Sequence, residues 1–193
     1  MNAAVRNGKI HLGSLYATVF PGVRVHYIKA LWCRLSAPKH QFIFWLAVNQ
    51  KLNTRDWLLS CHIPLLSACC PVCGQEEESH THLFFDCVFS RNVLLAVQGW
   101  LRGFSWPVQF SNWIKWLALP RDGWFSVVLY ATCAAAVYYI WQNRNHCWHD
   151  NFCLPMYRID HMIRFSIKAR ILNLVGSKCS YGEKQMLKFV MNL

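Results

Sequence analysis

Cys69-Cys-Pro-Val-Cys-Gly-Gln-Glu-Glu-Glu-Ser-His-Thr-His-Leu-Phe-Phe-Asp-Cys87 is the stretch around which the chain is organised. Within it, Cys70-x2-Cys73-x8-His82-x4-Cys87 offers three thiolates and one imidazole. Such a set closes a tetrahedral structural zinc site, with no position left for water or substrate. The two-residue spacing of Cys70 and Cys73 lets one tight turn aim both sulfurs at one ion, and Gly74 supplies the backbone freedom that turn needs. His82 and Cys87 bracket Leu83, Phe84 and Phe85, an apolar run able to anchor the second half of the site in a core. Cys69 competes with Cys70, and His80 with His82. Cys70 is preferred because it completes the turn, and His82 because it directly precedes the apolar run.

The ten cysteines could instead be buried thiols or disulfides. Met1 to Gly13 lacks the continuous apolar core of a secretory signal. An intracellular protein, nuclear or cytoplasmic and not secreted, is therefore expected, with free or metal-bound thiols favoured over disulfides. A hydrophobic fraction of 54% and ten Trp are enough to bury a substantial core.

Charge is concentrated at the two ends. The net value is +11. Up to Arg55 the basic residues, among them Arg34, Lys39 and Lys51, meet no acidic residue, and from Arg158 onward the excess returns. The metal stretch between them carries Glu76, Glu77 and Glu78. A basic balance suits a polyanion such as RNA or DNA, contacted through the flanks and not through the acidic ligand loop. Arg34, Lys39, Arg55, Arg164 and Lys168 are the candidate contacts, against the plainer reading of a solvated basic face.

Helical spacing dominates the remainder. Tyr27, Ile28, Leu31, Trp32 and Leu35 recur at helical spacing, and Pro38 opens a second, strongly apolar helix whose buried face is continued by Phe42, Ile43, Trp45, Leu46 and Asn49. Asn53 or Thr54 is expected to cap a short helix from Arg55 to His62, with Asp56 in its first turn. Val93, Leu94, Val97, Trp100 and Leu101 mark the next, ending near Gly103. Ser111 or Asn112 caps another, running to Leu119 and stopped by Pro120. A final helix, from about Met156 to Val175, sets Ile159, Ile163, Ile167, Ile171 and Leu174 against His161, Arg164 and Lys168 and stops at Gly176. Gly8 to Gly13 alternates like a short strand, Ser14 to Val19 resembles a helical turn, and Pro21-Gly22 punctuates the chain.

Trp124 to Gln142 holds no charged residue, so a membrane span competes there with a buried core helix. The core helix is preferred, because Ser126, Thr132 and several Ala and Tyr lower its apolarity. Beyond it, His146, His149 and Cys153 could face one metal, but without a fourth partner they read as incidental.

Three separated motifs carry a resemblance: Leu31-Trp-Cys-Arg-Leu-Ser-Ala-Pro-Lys-His-Gln-Phe-Ile-Phe-Trp-Leu-Ala47, then Lys51-Leu-Asn-Thr-Arg-Asp56, then the cysteine cluster ending His82-Leu-Phe-Phe-Asp-Cys87. In this order they resemble the plant reverse-transcriptase zinc-binding domain, over roughly residues 15 to 102. That family lies downstream of the polymerase in LINE-type, non-LTR retrotransposon polyproteins and also occurs as free-standing reading frames. The resemblance implies that Cys70, Cys73, His82 and Cys87 hold one structural zinc. Where the family often has a Trp after its last Cys, this chain has Val93 or Leu94. Ala134 to Asn145 is similar to the helical tail that often follows the domain.

Polymerase and ribonuclease H chemistry find no support. There is no Tyr-x-Asp-Asp motif, no spaced set of carboxylates for two magnesium ions and no glycine-rich phosphate loop. The expectation is a mainly α fold, a small helical domain around a Cys3His zinc site followed by a helical C-terminal extension. Its segments are 1–22, 23–103 and 104–193. The function expected is non-catalytic and retrotransposon-derived, an accessory for RNA or DNA. A protein-interaction module or a decayed remnant is the alternative, and a membrane anchor through 124–142 a weaker one.

Overall fold

A computed structural model of the chain describes residues 5–6, 9–10, 27–101, 104–119, 121–174 and 180–191. The fold is mainly helical. A small antiparallel pair, β1 (Val5–Arg6) and β2 (Lys9–Ile10), registers Val5 with Ile10 and Arg6 with Lys9. The expected strand from Gly8 to Gly13 is described only over β2. The turn at Ser14–Val19, Pro21-Gly22, and the stops at Gly103, Pro120 and Gly176 lie outside the described residues.

The helices are α1 (Ile28–Leu31), α2 (Pro38–Val48), α3 (Arg55–Ser60), α4 (Val88–Trp100), α5 (Phe110–Ala118), α6 (Trp124–His149), α7 (Met156–Leu174) and α8 (Tyr181–Met191). A π turn, His82–Asp86, leads into α4. Pro38 at the first position of α2 loses no hydrogen bond there, and its fixed φ favours the start. His40, Phe44, Ala47 and Val48 recur at helical spacing and form the buried face, whereas Ile43, Trp45 and Leu46 are half-buried and Phe42 and Asn49, expected inside, are exposed. The first face is shorter than its periodicity suggests, since α1 closes at Leu31 and the chain turns through Cys33–Ser36.

Helix α6 is the axis of the fold. It packs on α2 and α7 and touches α1, α4 and α8. Ala131, Ala134, Ala135 and Ala136 are buried, and side chains this small let neighbouring helices come close. Ser126 and Thr132 donate to the carbonyls of Asp122 and Val128, so their hydroxyls enter the interior satisfied. By length and composition α6 could cross a membrane, yet 72% of its most apolar window is buried among the other helices. It runs seven residues beyond Gln142, to His149.

Helix α7 lays Ile159, Ile163, Ile167 and Ile171 against α6 and α4. Each fully buried isoleucine stabilises by about 1.5–3 kcal/mol relative to an exposed one. Leu174, expected on the same stripe, is exposed. Arg170 ties α7 to the turn after α1, its Nε donating to the Leu35 carbonyl at 3.0 Å and Nη2 to that of Arg34 at 3.2 Å.

One cap lies elsewhere than expected, and another is at the expected residue but without its side-chain bond. Helix α5 begins at Phe110 after Gln109, ahead of Ser111 and Asn112. Thr54 does precede α3, but its hydroxyl faces His80 Nδ1 at 3.3 Å, and the first helical N–H, of Arg55, donates to the Glu78 carboxylate at 2.9 Å. A longer acidic side chain from another segment takes the place of the local cap.

One disulfide departs from the expectation of free or metal-bound thiols. Asn151 adopts a positive φ of 50° after the end of α6. The chain folds back there, bringing Cys153 to Cys147 at a Cα separation of 4.7 Å, where they are bonded. The Asn143 amide fastens the same loop, accepting from the Leu154 N–H at 2.8 Å and donating to its carbonyl at 3.3 Å.

Candidate metal centre

The first half of the centre is a backbone knuckle. The Cys70 N–H donates to the Glu76 carbonyl at 2.7 Å, the Gly74 N–H to that of Cys70 at 2.8 Å, and the Glu78 N–H to that of Ala68 at 2.9 Å. These bonds curl Cys70 to Gly74 so that both sulfurs point inward. Gly74 sits at φ +68°, a conformation in which a side chain would strain the backbone.

The second half is helical. The Ser79 hydroxyl caps the turn by accepting from the His82 N–H at 3.0 Å. The turn then widens, and the Cys87 N–H donates back five residues to the His82 carbonyl at 2.7 Å. In an α-helix, residues five apart diverge by about 140°. A π turn, with more residues per turn, reduces that to roughly 50° and sets His82 beside Cys87. Leu83, Phe84 and Phe85 are buried, with Phe85 edge-on to Trp113 of α5 at 5.6 Å between centroids.

One ligand atom each from Cys70, Cys73, His82 and Cys87 lies within 4.8 Å of the other three. Cys73 Sγ and His82 Nε2 are 3.3 Å apart. Ordinary zinc bond lengths in a tetrahedron separate ligand atoms by about 3.6–3.8 Å, so a small adjustment accommodates the ion. Cys70 and Cys87 are buried and hydrogen-bonded to each other: the bond lowers the pKa of the Cys87 thiol, while the same bond and burial raise that of Cys70. Two such thiols cannot both ionise cheaply in the interior, whereas a divalent cation takes both as thiolates. The donor set thus fits zinc, with all four sites of a tetrahedron supplied by protein.

His80 is engaged elsewhere, and Cys69 lies outside the group of four. His80 Nε2 accepts from the Leu52 N–H at 3.0 Å, and burial lowers its pKa. Cys69 pairs with Glu77 through the backbone, and its carbonyl accepts from Arg55 Nη1.

Beneath the knuckle lies a contact that sequence reasoning missed. Glu78 is buried, and its Oε1 accepts from Arg144 Nε of α6 at 2.6 Å while Oε2 accepts from Nη2. The Arg144 guanidinium lies between the rings of Trp141 and Trp148, 4.7 and 4.3 Å from their centroids. In the sequence Glu78 is simply the last of three consecutive acidic residues in the ligand loop, and nothing local singles it out.

Of the basic candidates, Arg34 and Lys39 are exposed. Lys39 Nζ lies 4.9 Å from the Tyr138 ring, and Arg34 occupies the turn held by Arg170. Arg164 and Lys168 are half-buried on α7. Arg55 stands apart, bonded to the knuckle and set 5.1 Å over the Trp148 ring. At the end of α6, His146 pairs with Asp150 at 2.7 Å and Cys153 is in the disulfide, so His146, His149 and Cys153 are not gathered around a common point.

These features define a small helical domain built around a closed Cys3His centre. Residues 11–93 match the family described as zinc-binding in reverse transcriptase. The match takes in Cys70, Cys73, His82 and Cys87 and ends within α4. No curated protein and no solved structure matches the chain.

Proposed function

We propose that this chain is a non-catalytic accessory module of retroelement origin, from a plant, non-LTR type of element, and that its single zinc is structural. The observation that carries the reading is the closed centre itself: four protein donors converge, and the surrounding bonds fix the site to α3 and α6. A structural zinc contributes on the order of 10 kcal/mol in small peptides, and the ion here joins a loop poor in helix to a helical core. The role we assign is to hold RNA or DNA inside the cell, in nucleus or cytoplasm, through basic side chains outside the acidic knuckle. Supporting it are the net charge of +11 and the clustering of that charge at the chain ends.

The test is zinc stoichiometry on purified protein, with far-UV circular dichroism before and after chelation. One zinc per chain and helical signal lost on chelation are expected. Metal-free protein with unchanged helicity would refute the structural zinc.

A protein-docking role has one observation in its favour. No residue of α3 is buried, and Trp57, Leu59, Ile63 and Leu66 are exposed beside the acidic Asp56, Glu76 and Glu77. Salt-dependent binding of RNA separates the two readings, since an acidic apolar face repels phosphate.

A further inference from the structure

Helix α7 is apolar on two opposite sides. One carries the buried isoleucines. The other exposes Tyr157 and Phe165, each 65% accessible, and Leu172 at 56%. At 100° per residue, Tyr157, His161, Phe165, Lys168 and Leu172 fall within an arc of about 80°, with Arg158 and Arg164 about 20° outside its two edges. The His161 ring lies nearly parallel to that of Phe165, with centroids 6.4 Å apart. The Arg158 guanidinium stands 6.0 Å from the Tyr157 ring. A shallow cleft lined by Tyr157, Arg158, Asp160, His161 and Arg164 opens at the start of the helix.

We propose that this outer face of α7 is a stacking platform for single-stranded nucleic acid. Bases stack on Tyr157 and Phe165, about 12 Å apart along the axis, and phosphates meet Arg158, Arg164 and Lys168. Exposed rings interleaved with cations are what an unpaired strand needs, since each nucleotide offers one π-face and one charge. A duplex hides its base faces and gives such rings nothing to stack on. A protein-docking face has few charges at its centre, whereas Lys168 lies within this stripe and Arg158 and Arg164 flank it. The acidic group in the cleft is already paired: Asp160 Oδ2 accepts from Arg164 Nε at 2.9 Å, and this guanidinium, one-third exposed, also stands 5.7 Å from the Trp100 ring. The inference deepens the nucleic-acid part of the proposed function and rests on it.

The experiment is fluorescence anisotropy of the full, zinc-loaded chain with a short labelled oligothymidine, as single strand and as duplex, over a range of salt. The single strand should bind more tightly than the duplex. Tyr157→Ala and Phe165→Ala should each weaken it about tenfold. Lys168→Ala should flatten the log–log salt slope by about 0.7. Thermal unfolding of the Tyr157→Ala and Phe165→Ala variants should match wild type, because both rings are exposed. Full affinity in the Tyr157→Ala/Phe165→Ala double variant would place binding elsewhere, overturning the platform while the nucleic-acid reading stands. Equal or tighter duplex binding would overturn the stacking role. No binding even at low salt would overturn both. Binding to anionic lipid vesicles, lost in the same variants while the oligonucleotide is ignored, would reassign the face to a membrane surface.

Discussion

Glu78 and Arg144, 66 residues apart in the chain, meet in the interior as a two-pronged ion pair with Nε to Oε1 at 2.6 Å. The same carboxylate receives the Arg55 N–H, so the knuckle, α3 and α6 share one side chain. Removing two charges from water offsets much of their attraction, and the pair fixes geometry more surely than it adds stability.

Loss of one partner should therefore be costly. Arg144→Met leaves a buried carboxylate without its counter-ion, and the expected loss is about 3–5 kcal/mol in urea unfolding. Pairing it with Glu78→Leu should recover part of that loss. If the double variant is as unstable as the two single losses added together, the residues are not coupled.

The metal centre makes a sharper demand. Cys73→Ser removes one thiolate, and zinc content should fall well below that of wild type. Amide exchange should then quicken first between Cys70 and Cys87, ahead of α6 and α7. Wild-type zinc content in this variant would show that Cys73 is not a ligand.

The two neighbouring histidines should separate cleanly. His82→Leu is expected to lose zinc. His80→Leu should keep it while costing about 1–3 kcal/mol, because the Leu52 N–H loses its acceptor. Zinc measured on the two variants side by side decides between them, and the reverse pattern would exchange their roles.

Acid should act through His40. Burial, with Lys39 and Arg170 nearby, lowers this imidazole to about 4, and the rings of Tyr138 and Tyr139 lie against it. An unfolded histidine titrates near 6.5, so protonation favours the unfolded chain. The contribution is complete above about 6.5 and disappears as pH falls toward the folded value. Between pH 7 and 5 it should amount to about 2 kcal/mol. His40→Leu, unfolded in urea at both pH values with zinc present, should show a correspondingly smaller change. An identical pH dependence in variant and wild type would remove His40 as its source.

Much of this fold is written in local pattern. The isoleucines of α7 and the stripe Val93, Leu94, Val97 and Trp100 of α4 lie one helical turn apart, and burial follows that periodicity. Cys70, Cys73, His82 and Cys87, singled out by spacing, are the four residues gathered within 4.8 Å. What stayed hidden is non-local. The partner of Glu78 lies on a helix whose apolar composition made it a candidate membrane span, and nothing beside Arg144 marks it as buried. Cys147 and Cys153 meet across the reversal at Asn151, in a loop that Asn143 also fastens. The two faces of α7 were read as apolar and basic, but Tyr157 and Phe165 were not counted on the second. Their exposure depends on which side α6 covers, and periodicity alone does not say that.

The π turn also makes the centre sensitive to counting. Any of the residues between His82 and Cys87 can be exchanged for another of similar bulk, and the turn still returns the fifth residue to the first. Deleting one of them lets the backbone relax into an ordinary α-helix, while the sulfur arrives a residue early and swings to a new side of the axis. An insertion overshoots in the opposite sense. The interval between the two ligands therefore acts as a measured spacer, whose length is a stricter requirement than the identity of the residues that fill it.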